Sequence, residues 1–140
     1  MKKLLFIQLV LALSMFSLFA QESIDSSQQK NSTSNMVFVV VEEMPTFRGG
    51  DVNNFREWVQ ERVTYPKELR ENKVEGKVFV MFVIEPDGSV SNAQVMRGVH
   101  PLLDEEAVKV IKSSPLWKPG LQREVPVRVR FSITVEYLLI

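Results

Sequence analysis

His100 is the only histidine in a chain of 140 residues that contains no cysteine, so imidazole or thiolate chemistry has a single place to start. One imidazole can act as a general base or fill one position on a metal, but each role needs partners. No second ligand, nucleophile or triad partner stands near it in sequence, and it precedes Pro101 in a loop. Catalytic base, metal ligand and helix-start loop residue therefore compete, and the pattern favours the last. Asp104, Glu105 and Glu106 form a carboxylate cluster with acid–base potential. Their place in the first turn of a helical pattern is already accounted for by the helix dipole. Gly49-Gly50 before Asp51 is a fragment of a phosphate cradle, yet no Lys-Ser or Lys-Thr follows, and the pair reads as a hinge. Trp58 falls on an apolar helical stripe and reads as core, whereas Trp117, between Pro115 and Pro119, is either a binding aromatic or the packing of a rigid loop. No Gly-x-Ser-x-Gly or His-Glu-x-x-His occurs. The expectation is no enzyme, no catalytic residues, no metal and no cofactor.

Seventeen basic residues balance seventeen acidic ones, which gives no basic footprint for nucleic acid. The absence of cysteine excludes disulfides and thiolate metal sites, so packing must supply the stability. Residues 1–20 read as a signal peptide, with Met1-Lys2-Lys3 ahead of an apolar run that ends at Ala20. Leu18 is a poor residue before a cleavage site, and an uncleaved anchor is the alternative. Residues 21–35 are almost all polar and read as a tether reaching roughly 50 Å at about 3.3 Å per residue. What remains, residues 36–140, suffices for one core.

The elements that must position any site follow from periodicity. Residues 36–43 are rich in β-branched side chains and read as a short strand. Asp51 is an N-cap for a helix with Val52, Phe55, Trp58 and Val59 on its apolar face. Pro66 opens a second helical piece over residues 67–72, with Leu69 inward. Residues 77–85 are nearly all apolar and read as a strand buried on both faces. Pro86-Asp87-Gly88 then turns the chain into an antiparallel return strand over residues 90–96. Leu103, Ala107, Val110 and Ile111 mark another helix over residues 102–113. A last strand alternates apolar Val127, Val129, Phe131, Ile133, Val135 and Tyr137 with polar neighbours. The expected fold is an α+β two-layer sandwich, an antiparallel or mixed sheet with two helices packed on one face.

A last strand longer than its partners leaves main-chain groups unpaired at an edge, and such an edge can accept an extended peptide. Arg128 and Arg130 on its wet face either favour an acidic peptide or are simply solvated.

Tyr65-Pro66, Leu69-Arg70, Val74-Glu75-Gly76-Lys77-Val78, Pro86-Asp87-Gly88-Ser89-Val90, Trp117-Lys118-Pro119-Gly120 and the closing strand, in this order, resemble the TonB C-terminal domain family. The resemblance spans residues 64–135. Met44-Pro45-Thr46-Phe47-Arg48-Gly49-Gly50 also resembles a segment of TonB-like proteins, with Arg48 in place of a second proline. It implies a periplasmic domain that grips the TonB box of an outer-membrane receptor by strand addition, in energised nutrient transport. By that resemblance the partner-binding residues are Val127, Arg128, Val129, Arg130, Phe131, Ser132, Ile133, Thr134 and Val135. Arg62, Val63, Thr64 and Tyr65 join them, although Arg62-Val63-Thr64 stands where the family often has Gln-Pro-Gln. The short tether suggests a periplasmic binding domain rather than a complete transducer, with inner-membrane motor proteins as further candidate partners. The rival is an assembly module that uses the same edge for another periplasmic partner or for a homodimer.

Overall fold

The computed structural model describes residues 35–140; the leader read over residues 1–20 and the tether read over 21–35, Asn35 apart, lie outside the described residues. The chain runs β1 (Val37–Phe38), α1 (Val52–Arg62), α2 (Lys67–Glu71), β2 (Gly76–Ile84), β3 (Val90–Arg97), α3 (Pro101–Lys112), β4 (Gly120–Gln122) and β5 (Val125–Tyr137). The sheet order is β1-β5-β2-β3, with β4 pairing β5 off that path. β5 is antiparallel to β2 and to β4 and parallel to β1, so the sheet is mixed. Both longer helices pack on one face of it, as expected.

Local chemistry explains why the helices start where they do. An Asp51 carboxylate oxygen accepts the Asn53 N–H at 2.8 Å, and the His100 Nδ1 accepts the Leu102 N–H at 3.2 Å. His100 is thus a helix cap, the bland role favoured above. Phe55, Trp58 and Val59 on α1 and Leu103, Ala107, Val110 and Ile111 on α3 turn inward onto Val78, Val80, Phe82 and Ile84 of β2. Gly88, at φ +86°, closes the β2–β3 turn and accepts the Trp117 N–H on its carbonyl at 2.8 Å. A Cβ there would stand 2.1 Å from the Trp117 carbonyl oxygen, so this turn also needs glycine for close approach.

Phe47, Phe55, Phe82, Trp117 and Phe131 form an aromatic knot between five chain segments. Ring centroids lie 5.0 Å apart for Phe47 and Phe55, 4.9 Å for Phe55 and Trp117, and 5.7 Å for Trp117 and Phe131. Trp117 is 4% exposed, which decides its role as packing rather than as a binding aromatic.

Three expectations need correction. The strand read over residues 36–43 shrinks to Val37–Phe38, because Val39 and Val40 swing out to 55% and 77% exposure while Glu43 and Thr46 bridge Leu121 and Lys118 instead. Residues 77–85 are not buried on both faces: Phe79 is 39% exposed, since the helices cover only one side. The Gly49-Gly50 hinge is a closed hairpin turn in which Phe47 and Gly50 exchange both main-chain hydrogen bonds at 2.9 Å.

Trp117→Ala is expected to lower unfolding free energy by about 3–5 kcal/mol in a urea titration, because it empties the centre of the knot. A loss under about 1 kcal/mol would contradict the packing role.

Candidate functional site

A β-strand turns successive main-chain groups to opposite edges, so the pairing of one residue fixes the direction of the others. The Gln60 side-chain amide settles the matter for β5. Its Nε2 donates to the Glu136 carbonyl at 2.7 Å, and its Oε1 accepts the Glu136 N–H at 2.9 Å. Glu136 therefore points away from β2, although the two strands run side by side from Gly76 and Tyr137 to Ile84 and Val129. By alternation Thr134, Ser132, Arg130 and Arg128 also point outward, while Val135, Ile133, Phe131 and Val129 hold the β2 ladder.

The outward groups meet different fates along the strand. Pro126 has no N–H to offer. Arg128 and Val129 lie in register with Val37 and Phe38 of β1. At the far end Gln60 holds Glu136. The Arg130 N–H completes the β1 ladder, because the parallel Phe38–Val129 pair is closed through the residues on either side of Val129; beyond it, among the described residues, no strand pairs Ser132 or Thr134 on that side. Beside this open stretch α1 raises a polar lip, and a groove of about 170 Å³ is lined by Arg56, Glu57, Gln60, Thr134 and Glu136.

The residues singled out from sequence thus fall into three places. Val127 is taken up by β4, Val129 by β2, and Arg128 together with the Arg130 N–H by β1. Phe131, Ser132, Ile133, Thr134 and Val135 form the stretch with the open edge, which starts at the Arg130 carbonyl; Ile133 and Val135 bury their side chains there and Ser132 is exposed. Arg62, Val63, Thr64 and Tyr65 gather beyond its far end: the Tyr65 ring meets Tyr137 edge-on at 5.4 Å, and its hydroxyl donates to the Val74 carbonyl. The Arg62 guanidinium sits 4.1 Å from the Trp58 ring centroid and donates to the Trp58 carbonyl, and the Thr64 N–H is held by the Glu106 carboxylate at 3.1 Å. Arg56, Glu57 and Gln60 were missed by sequence reasoning, because polar residues on an amphipathic helix carry no sign of what lies beside them.

Charge along β5 is uneven. Arg128 Nε is 2.9 Å from one Glu85 carboxylate oxygen and its terminal nitrogen 3.0 Å from the other, a forked pair that Ser91 joins through its hydroxyl. Burial works against the Glu85 charge, but the hydrogen bonds from Arg128 and Ser91 and the Arg128 charge outweigh it, and its pKa falls below 4.5. Arg130 is exposed and makes no ion pair among the described residues. Of the two arginines only Arg130 keeps a free cation.

Among the described residues the clustered carboxylates Asp104 and Glu106 are engaged in structure. Asp104 accepts the Val99 N–H at 3.0 Å and Glu106 the Thr64 N–H, so two of the three clustered carboxylates hold the backbone. Among the described residues no group of three or more His, Asp or Glu is placed to hold a metal ion, and no helix is long and apolar enough to cross a membrane.

The model of the Gram-negative bacterial TonB protein C-terminal family matches residues 61–139. The chain belongs to the TonB C-terminal domain family. This is a non-catalytic, protein-interaction family of TonB-dependent transport, periplasmic in Gram-negative bacteria and implying contact with outer-membrane receptors. No curated protein matches the chain. Two solution structures of the Helicobacter pylori TonB C-terminal domain are similar to it. The shorter form is 26% identical over 62% of this chain and 91% of its own, with a TM-score of 0.49. The longer is 24% identical over 64% of this chain and 82% of its own, with a TM-score of 0.46. In this TonB-family chain β1 and most of α1, including Gln60, precede the matched segment.

Because Glu85 is held ionised in the fold more easily than in the unfolded chain, its contribution to stability is complete above about pH 4.5 and fades as pH drops through its lowered pKa. Arg128→Ala is expected to cost about 1 kcal/mol near neutrality and to flatten stability against pH below that value, as read by urea titrations at several pH values. An unchanged acid slope would contradict this ion pair.

Proposed function

We propose that this domain takes hold of the TonB box of an outer-membrane receptor as an added strand on the outer edge of β5, in the periplasm and in the service of energised transport, and that it is no enzyme. The observation that carries the reading is the run of outward groups from the Arg130 carbonyl through Ser132 and Thr134, without a strand partner among the described residues and flanked by paired ones. Family membership supplies the partner class, and the edge supplies the means.

Residues 127–135 were the sequence's candidates, and the edge open to a peptide is the part from the Arg130 carbonyl to Val135. Ser132 and Thr134 provide an N–H and a carbonyl each, and Arg130 its carbonyl. At about 0.5–1.5 kcal/mol net per hydrogen bond, set against about 4–15 kcal/mol for association, main-chain contacts alone give weak, reversible binding. Side chains must add the rest. The free Arg130 cation favours an acidic residue in the peptide, while Arg128 is already spent on Glu85. Arg62, Val63, Thr64 and Tyr65 serve by holding the end of α1 against Tyr137, close to where the added strand stops. Residues 1–20 act as the export signal or anchor and residues 21–35 as the tether.

Titration with a TonB-box peptide is expected to shift the amide resonances of residues 131–135. Ser132→Pro removes an outward N–H and spares the β2 ladder, and should weaken that binding by about tenfold or more. Unchanged affinity in a folded variant would sink the proposed edge. Self-association on concentration, with no response to the peptide, would favour the assembly module.

A further inference from the structure

We propose that Gln60 is a register stop: its side-chain amide ends the docking edge of β5 at Glu136 and so limits the length of strand the domain accepts. The inference rests on the reading of that edge as a receptor-docking surface and adds what sets its limits.

Gln60 does to Glu136 what a neighbouring strand would do. A carboxamide carries a donor and an acceptor in one plane, like a peptide group, and both are used on the N–H and carbonyl of one residue, at 2.9 and 2.7 Å. Without Gln60 the outward series would continue from Thr134 to Glu136. With it, an incoming strand finds its last site filled. At the other end β1 runs parallel to β5 at Arg128 and Val129 and then leaves, because Val39 and Val40 bend away. The Arg130 N–H still belongs to the β1 ladder, and the free window therefore covers residues 131–135, about 17 Å at about 3.3 Å per residue.

Both stops come from the part of the chain ahead of the family match, which begins at residue 61. Gln60 is also held in place, since the adjacent Val59 is fully buried and α1 is anchored by Phe55 and Trp58. The 170 Å³ groove beside it is bounded by Thr134 and Glu136, so the side chain stands at the end of the open edge rather than over its middle.

The test uses the full domain, a short and a long TonB-box peptide of about six and about ten residues, and amide exchange followed by NMR. In the free wild-type protein the Glu136 N–H is expected to exchange slowly. In Gln60→Ala it should exchange at least about tenfold faster, with the amides of Ile133 and Val135 unchanged as the control for folding. In the wild type the two peptides should bind alike and leave the Glu136 resonance unmoved. In Gln60→Ala the long peptide should bind about three- to tenfold more tightly than the short one and restore slow exchange at Glu136. Gln60→Glu keeps the acceptor and loses the donor, and should fall between. The proposal is overturned if Glu136 exchanges equally in wild type and Gln60→Ala, or if the long peptide displaces Gln60 in the wild type. Failure of both peptides to bind either form overturns the docking reading and the length limit with it. The free-protein exchange tells that failure apart from an absent clip.

Discussion

Each edge of a β-strand offers only alternate N–H and carbonyl groups, and most of what this domain can do depends on where those of β5 are directed. On one side the odd-numbered residues from Val129 to Val135 are committed to β2 and keep the sheet together. The other side is divided between β1, an open stretch and one glutamine. Buried main-chain groups must be paired, but groups at a margin can wait for a partner from outside. The same ladder that stabilises the fold thus leaves a defined remainder, and no mobile loop or charged cleft is needed to create it.

That remainder is defined only because the N-terminal segment is fixed, and the aromatic knot fixes it. Phe47 comes from the hairpin after β1, Phe55 from α1, Phe82 from β2, Trp117 from the loop before β4 and Phe131 from β5. Edge-on and stacked contacts among such rings contribute about 0.5–1.5 kcal/mol each beyond their buried area. The knot therefore couples residues ahead of the family-matched segment to the strands within it. Loss of Phe47 or Phe55 would loosen the Gln60 end of the open edge, whereas Phe38 of β1 packs in a second cluster with Val41, Val127 and Val129.

The sequence made the helices legible because their signals are local. Val52, Phe55, Trp58 and Val59 repeat at helical spacing, Asp51 precedes them, and Pro101 opens α3 behind a capping His100. Pro86-Asp87-Gly88 likewise fixed the β2–β3 turn. β4 escaped notice because its two-residue turn is Arg123-Glu124, both at positive φ, where the usual glycine or asparagine is missing. The extent of β1 was overread because β-branched residues report a taste for extended backbone, not the presence of a neighbour. The direction of the β5 edge was out of reach altogether. Alternation of apolar side chains tells which face is dry, whereas which way each N–H points depends on the register with β2 and on Gln60.

Main-chain docking is nearly blind to side chains, so selectivity has to be imposed by the surroundings. Charge does part of this poorly here, because Arg128 is neutralised by Glu85 and Arg56 stands beside Glu57 on the lip. Geometry does more. An edge closed by a parallel strand at one end and by a carboxamide at the other admits an extended segment of limited length, and a longer flat strand would have to break existing hydrogen bonds to enter. Such framing also guards against the ordinary hazard of an exposed edge, which is pairing with another copy over its whole length. On this argument the polar face of α1, featureless in the sequence, guards the site as much as it solvates the helix.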